Sequence, residues 1–339
     1  MTEQNRNEQS NMPTFVKQFL LLVLPSKQQQ EQVDNKNQGN SPFEKMYFSF
    51  PALEEDIDNN KNNTCGQQQD HRHRSYALSQ KFAEEGNHVI ATTRNIDALE
   101  GLEEFGCEKE ALDINDQKSI DTVVQKIIDR VGHIDVLINN AGAPAVGALM
   151  DIDLQVAHQC VNTNVFGTLA MSKAVALHMA KRGSGKIVNV GSVVGYVSTP
   201  WAGIYAMSKA AVHSMSDTLR LELKPFGIQV VVVAPGAIKS NFGNAGAKIV
   251  KVPEGNSLYT SVAKFIIARA NLSQGAGNTP NDVFARHVVK KILQPVSPRY
   301  ITYGATSWVF LLFYYLPFFL KDLIFYKKFG VDQLKPKKD

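Results

Sequence analysis

Residues 230–234 constrain the fold most, because four consecutive valines followed by an alanine leave the segment without a polar face. Such a run is typical of a strand that is covered on both sides by helices. From about residue 77 onward, several short apolar runs of this kind alternate with segments of helical spacing. The alternation predicts a doubly wound, Rossmann-like α/β parallel sheet, formed as a single domain over residues 76–300.

The beginning of this sheet departs from the pattern. A nucleotide-binding unit of this type opens with a central strand and a glycine-rich turn, where glycine permits positive φ and a close approach of phosphate. Residues 64–86 instead place glutamines, histidines and arginines before the first helix. The nearest apolar candidate for a strand, residues 46–50, is followed by a proline and is separated from the helix by a long polar stretch. We therefore expect the first strand and the glycine turn to be degenerate or missing.

The segment 1–75 has a different composition from the rest of the chain. Asn and Gln fill 21 of the first 70 positions. A segment this polar buries too little apolar surface to offset its ordering entropy, so we predict disorder over residues 1–75. The apolar run 19–25 is the exception, but it is too short to span a bilayer and its flanks fit a secretory signal poorly.

Charge and cysteine content exclude some functions. The net charge of +4 is small, and no Lys/Arg run is interleaved with aromatic residues, which argues against nucleic-acid binding. Cys65, Cys107 and Cys160 are odd in number and widely spaced, so they form neither a metal motif nor a disulfide framework. We expect a reducing, cytosol-facing environment and no metal.

The strongest chemical signal is the pair Tyr205 and Lys209, which lie one turn apart on a predicted helix. This spacing alone is common by chance. Ser192, however, lies shortly before the pair and just past a predicted strand, where open α/β sheets bind ligands. Three further motifs occur in order: NNAG at 139–142, NVFG at 164–167 and PGAIKS at 235–240.

This combination, which extends through much of the predicted domain, resembles the short-chain dehydrogenase/reductase family. The resemblance implies that Tyr205 protonates the substrate oxygen as hydride arrives, and that Ser192 orients the carbonyl. An ammonium beside a phenol favours the phenolate, so Lys209 is expected to lower the pKa of Tyr205, and by resemblance it also binds the ribose. Asn164 resembles the residue that anchors a proton-carrying water chain; the alternative is an Asn that braces a helix.

Cofactor preference is indicated by the end of the second predicted strand. An NAD-dependent enzyme would present an acidic residue there, whereas this chain has Thr93 followed by Arg94, which suits the 2′-phosphate of NADPH. The resemblance implies that Asp113 binds the adenine amine. Lys173 either reaches the cofactor or faces solvent. The family's motifs add Asn140, Ile238 and Ser240 to the cofactor-binding residues.

Two interpretations account for the missing glycine turn. Residues 1–75 are the product of a wrong start, or the chain is genuine and has lost cofactor binding. In both cases this chain is expected to bind NADPH weakly, because side chains at the expected glycine positions Gln68, Arg72 or His73, and Ser75 keep backbone N–H groups away from phosphate.

The expected substrate is a lipid ketone. The segments STPWAGIYAMSK and TLRLELKPFGI resemble the branch of the family that reduces 1-acyldihydroxyacetone phosphate to 1-acylglycerol 3-phosphate, whose relatives act on steroids and retinoids. Tyr196 and Trp201 either line the substrate mouth or pack the loop. The alternative from another class is a catalytically impaired, membrane-attached lipid-binding protein. Assembly into a homo-oligomer is a further expectation.

The C-terminal segment 301–339 is predicted to associate with a membrane. Residues 301–320 carry no charge, but this length is marginal for spanning and the segment contains Pro317. The basic residues that follow suit a cytosol-facing membrane, of the endoplasmic reticulum or a lipid droplet. The alternative is a soluble lid over the active site.

Overall fold

The computed structural model describes residues 19–24 as backbone, and residues 74–239, 250, 257–272, 275 and 277–334 with side chains. Its strands form one sheet in the order β3-β2-β1-β4-β5-β6-β7. They are β1 (Phe19–Leu24), β2 (His88–Thr93), β3 (Glu108–Ala111), β4 (Val136–Asn139), β5 (Gly185–Val190), β6 (Ile228–Pro235) and β7 (Tyr300–Tyr303). This order, with helices between the strands, confirms the predicted doubly wound α/β architecture.

Helices cover both faces of the sheet. They are α1 (Arg74–Glu84), α2 (Gln117–Val131), α3 (Leu154–Val161), α4 (Thr168–Arg182), α5 (Gly203–Leu223), α6 (Ala263–Ala270), α7 (Asn281–Ile292), α8 (Ser307–Tyr315) and α9 (Phe318–Lys328). In β6, Val231 and Val233 join the cluster formed with α1 and α7, whereas Val230 joins the cluster with α2 and α4. The valine run is therefore buried on both sides, as its composition predicts.

The central position of the sheet is occupied, so the first strand is not missing but departs from the usual arrangement, as the alternative of a degenerate strand predicts. β1 lies between β2 and β4 and is antiparallel to both, while the other neighbouring pairs are parallel. Its apolar sequence suits a strand covered on both faces, and sheet pairing satisfies its backbone N–H and C=O groups. The prediction of disorder over 1–75 is thus wrong for this strand. The rest of that prediction, for residues 1–18 and 25–73, lies outside the described residues.

Helix α1 begins at Arg74, one turn before the predicted start. The proposed substitutes Gln68, Arg72 and His73 for the turn glycines lie outside the described residues. At the other end of the chain, the uncharged run 301–320 is divided between β7, α8 and the start of α9 at Phe318, just after Pro317. Among the described helices, none is both long enough and apolar enough to cross a membrane.

Candidate active site

Tyr205, Lys209 and Ser192 meet at the carboxyl end of β5. Nζ of Lys209 lies 5.8 Å from the ring centre of Tyr205 and donates a hydrogen bond of 2.7 Å to the carbonyl oxygen of Val190, the last residue of β5. Ser192, which follows this strand closely, lies near enough to Tyr205 for its side chain to lower the pKa of the phenol, and both residues line the same cavity. The structure therefore brings these predicted catalytic side chains together.

The electrostatics of the pair differ from the sequence-based expectation. Burial raises the pKa of Tyr205, and the charges of Arg74 and Arg269 only partly oppose this shift. Burial also lowers the pKa of Lys209 to about 7, with a further contribution from Arg74. The net shift of the phenol pKa is therefore upward rather than downward as expected, because loss of hydration in the buried site outweighs the neighbouring positive charges.

Asn164 braces the loop after β4. It lies in the π-helical turn Asn162–Gly167 between α3 and α4 and is fully buried. Its Oδ1 accepts the N–H of Ala143 at 2.7 Å, and its Nδ2 donates to the carbonyl oxygen of Ala143 at 3.1 Å and to Oγ of Ser208 at 2.9 Å. These contacts match the bracing alternative. The side chain links the loop to α5.

His213 is a site residue that the sequence analysis missed. Its Nε2 accepts the backbone N–H of Ser192 at 3.4 Å. Burial lowers its pKa to about 4, so the ring is neutral near pH 7. A β-carbon at Gly191 or Gly195 would collide with the ring, so both positions have space only for glycine. The i, i+4 spacing from Tyr205 to Lys209 continues to His213 and could have identified it.

The first turn of α1 is tied to the end of β4. Nε of Arg74 donates to Oδ1 of Asn140 at 2.9 Å, and Nδ2 of Asn140 donates to Oγ of Ser75 at 2.5 Å. Asn140, a predicted cofactor residue, thus contacts the helix that in this type of fold begins at the pyrophosphate. At the start of α1 the described residues are Arg74 and Ser75, so side chains lie where this type of fold has the end of its glycine turn.

The predicted adenosine contacts lie at the ends of β2 and β3. Thr93 is buried, its Oγ1 accepts the N–H of Asn95 at 3.4 Å, and Arg94 beside it is exposed. One carboxylate oxygen of Asp113 accepts the N–H of Asn115 at 2.9 Å. The chemistry and placement of Thr93, Arg94 and Asp113 fit the adenosine half of a dinucleotide.

The structure describes two of the three remaining predicted cofactor residues, Lys173 and Ile238, and they have different surroundings. Lys173 is exposed on α4 and does not line the cavity beside Tyr205, which agrees with the solvent-facing alternative. Ser240 lies outside the described residues. Ile238, by contrast, is buried and lines the cavity.

A cavity of about 350 Å³ opens beside Tyr205 and Ser192. Helices α8 and α9 and the residue after α9 form its apolar wall, through Val309, Phe310, Phe313, Phe325 and Phe329. This position agrees with the lid alternative for the C-terminal segment. Its lining also contains three cationic side chains, those of Arg74, Arg269 and Lys328.

Trp201 and Tyr196 pack the loop rather than line this cavity. Trp201 is buried and has φ of 67°, which is rare for a bulky residue. Its Nε1 donates to the carbonyl oxygen of Phe329 at 3.0 Å, which fixes the end of α9 beside the cavity. The hydroxyl of Tyr196 is hydrogen-bonded to Oγ1 of Thr302 at 2.7 Å.

The fold and this site define a nicotinamide-dependent oxidoreductase that acts on CH–OH and C=O groups. The family model described as short chain dehydrogenase matches residues 75–248, and the chain belongs to this family.

Three known proteins illustrate the similarity. The NADPH-dependent 1-acyldihydroxyacetone phosphate reductase of Schizosaccharomyces pombe is 35% identical over 58% of this chain and 67% of its own. The 3-ketodihydrosphingosine reductase of Bacteroides thetaiotaomicron is 37% identical over 48% of this chain and 60% of its own. The crystal structure of a short-chain dehydrogenase from Streptomyces avermitilis has a TM-score of 0.64 and 28% identity, and it covers 77% of this chain and 95% of its own.

Proposed function

We propose that this protein is an NADPH-dependent ketoreductase of lipids, whose substrate is 1-acyldihydroxyacetone phosphate and whose product is 1-acylglycerol 3-phosphate. The observation that carries the proposal is that Ser192 and Tyr205 line a cavity together with the apolar side chains of α8 and α9. Such a cavity suits a carbonyl attached to an aliphatic chain. The names of the fission yeast and Bacteroides relatives support a lipid ketone as the substrate.

In the proposed reaction, NADPH supplies the hydride that reaches the carbonyl carbon. The Tyr205 hydroxyl gives its proton to the carbonyl oxygen, and its raised pKa keeps the phenol protonated at neutral pH. Ser192 donates a hydrogen bond to the same oxygen and stabilises its developing negative charge. Lys209, when protonated, stabilises the phenolate that Tyr205 leaves behind.

Cofactor preference is part of the proposal. Arg94 and Thr93 would contact the 2′-phosphate, and Asp113 the adenine, while Asn140 and Ile238 would lie toward the nicotinamide half. The positive charge of Arg74 at the start of α1 would partly replace the backbone contacts of a glycine turn. Because side chains occupy that turn, we expect weak binding of NADPH.

We further propose that the protein works at a cytosol-facing membrane, of the endoplasmic reticulum or a lipid droplet. The outer face of α8 and α9 carries large hydrophobic side chains that are mostly exposed to solvent, and we call it the apolar patch. It consists of Trp308, Leu311, Leu312, Tyr315, Phe318, Phe319 and Leu323. Exposed Lys327 and Lys328 adjoin it and suit anionic lipid headgroups. Since the inner face of the same helices lines the cavity, a lipid leaving the membrane would have a short path to Tyr205.

The variant Tyr205→Phe tests the proposed reaction. The purified full chain is given 1-acyldihydroxyacetone phosphate in mixed micelles, and NADPH oxidation is followed by absorbance. Loss of the proton donor should lower kcat by roughly 100-fold or more. Tyr326→Phe, on the exposed side of α9, is the matched control and should keep full activity. Unchanged turnover by Tyr205→Phe would contradict the mechanism, and lipid binding without turnover by the wild type would favour the lipid-binding alternative.

A further inference from the structure

We propose that Arg269 and Thr199 form a subsite for an anionic group of the substrate, either a phosphate monoester or a carboxylate. The inference rests on the proposed ketoreductase function and assigns the residues that would bind the anionic end of an amphiphile whose ketone lies near that end. Neither residue belongs to the cluster formed by Ser192, Tyr205 and Lys209.

Arg269 supplies a positive charge that no acidic side chain among the described residues neutralises. It lies in the last turn of α6, lines the cavity, and is close enough to Tyr205 for its charge to oppose the rise in the phenol pKa. The residue is half-buried, and loss of hydration lowers the pKa of its guanidinium. In the described part of the chain, no side chain or carbonyl accepts a hydrogen bond from that guanidinium. A partly sheltered guanidinium without an acceptor is stabilised by an anionic ligand.

Thr199 provides an independent observation. It is 4% exposed, and its Oγ1 is buried without a hydrogen-bond partner among the described residues. Buried hydroxyls are nearly always hydrogen-bonded, because burying a hydroxyl without a hydrogen-bond partner costs free energy. Thr199 lines the same cavity as Arg269. A ligand oxygen at this wall of the cavity would complete the hydrogen bonding of the hydroxyl once the Thr199 side chain turns toward it.

The residues that line the cavity indicate that its ligand has an apolar end as well as an anionic group. The described lining residues include three cations and neither Asp nor Glu. The cavity has two guanidiniums. That of Arg74, at the start of α1, donates to Asn140 and lies on the cofactor side of the site. Arg269 is thus left for the substrate. The phenylalanines of α8 and α9 in the remaining wall suit an aliphatic chain, so the ligand has one anionic and one apolar end.

Direct binding of non-reducible ligands tests this subsite without turnover. We would titrate the full chain by calorimetry with decyl phosphate, decanoate and decanol, below their micellar concentrations. One or both anions should bind roughly tenfold or more tightly than the alcohol. Arg269→Met should remove this difference, and Arg269→Lys should retain part of it. Arg286→Met, at an exposed arginine of α7, is the matched control and should bind like the wild type.

The ligand series also separates the sources of the anionic group. Tighter binding of decyl phosphate alone would assign a phosphate, and comparable binding of decanoate would assign any anionic oxygen group. Equal affinity for the alcohol and both anions, or full anion binding by Arg269→Met, would overturn the proposal. Because no reduction is measured, failure of the ketoreductase function would not produce either result. An Arg269→Met variant that also loses the wild-type affinity for decanol would show a structural role and would overturn the proposal.

Discussion

His213 positions the catalytic centre without touching its reacting groups. Its neutral ring accepts the backbone N–H of Ser192, and it packs edge-on against Tyr196 and Tyr300 with ring-centre distances of 5.0 and 5.6 Å. The ring sits against backbone at Gly191 and Gly195. A protonated ring could not accept that hydrogen bond, and its charge would be buried beside Lys209.

The lowered pKa of His213 predicts a specific acid sensitivity. In the folded chain its pKa is about 4, against the ordinary 6.5, so between these values only the unfolded chain binds the proton. The free energy of unfolding therefore falls as the pH falls, by about 2 kcal/mol between pH 6.5 and 4.5 from this residue. We expect His213→Gln to flatten this part of the profile in urea unfolding, whereas His158→Gln, at an exposed position of α3, leaves it unchanged. Equal slopes for wild type and His213→Gln would show this assignment to be wrong.

Site residues that lie close together in the sequence could be predicted, whereas those contributed by distant segments could not. Ser192, Tyr205 and Lys209 lie close together in the sequence. Their spacing, the strand end before Ser192 and the neighbouring motifs together predicted that they meet. Arg269 belongs to a much later helix and reaches the cavity only because α6 packs there. No local pattern marks such a residue. Likewise, an unpartnered hydroxyl such as that of Thr199 is visible only when every neighbouring atom is placed.

At the scale of elements, α8 and α9 have two apolar faces with different surroundings. Their inner residues line the cavity, and Trp201 holds the end of α9 through the carbonyl oxygen of Phe329. Their outer residues form the apolar patch. The sequence indicated an uncharged segment but could not divide it into a strand and two helices, since a helix that is apolar all round has no amphipathic pattern. The inner face therefore agrees with the lid alternative, and the outer face is the one that we propose for contact with a membrane.

The apolar patch should be the membrane-binding surface. Changing Trp308, Phe318 and Phe319 to Ser, at 70%, 78% and 69% exposure, removes apolar area without disturbing the cavity wall. Each lost contact with the bilayer is worth about 1.5 kcal/mol or more, so co-sedimentation with phosphatidylserine-containing liposomes should fall by at least roughly tenfold.

The control for this measurement changes exposed apolar residues elsewhere. Met150, Leu154 and Val296 are similarly exposed, at 75%, 70% and 80%, and their replacement by Ser should leave liposome binding intact. If both triple variants lose binding equally, or neither does, the patch is not the docking surface. Circular dichroism of each variant checks that the helices remain folded.

At the scale of the whole molecule, the sheet depends on a segment far away in sequence. β1 pairs with both β2 and β4, so it connects the two halves of the sheet, although residues 25–73 separate it from α1. The sequence contains an apolar run suited to this position, residues 19–25. It was not predicted as the first strand because that strand was expected directly before α1 and parallel to its neighbours. A strand immediately before α1 would run parallel to its neighbours, whereas β1 is antiparallel to both.

This topology makes Leu22 sensitive to proline. Its partners are Ile90 in β2 and Leu137 in β4, so it lies within a strand that is paired on both edges. Proline has no N–H and removes a ladder hydrogen bond, which leaves a buried acceptor unpaired, so Leu22→Pro should lower the free energy of unfolding by about 3 kcal/mol. Leu22→Val, which keeps the N–H and favours a strand, should stay within about 1 kcal/mol of the wild type. Urea unfolding followed by circular dichroism measures both variants. If the midpoint for Leu22→Pro equals that of the wild type, residues 19–24 do not hold the centre of the sheet.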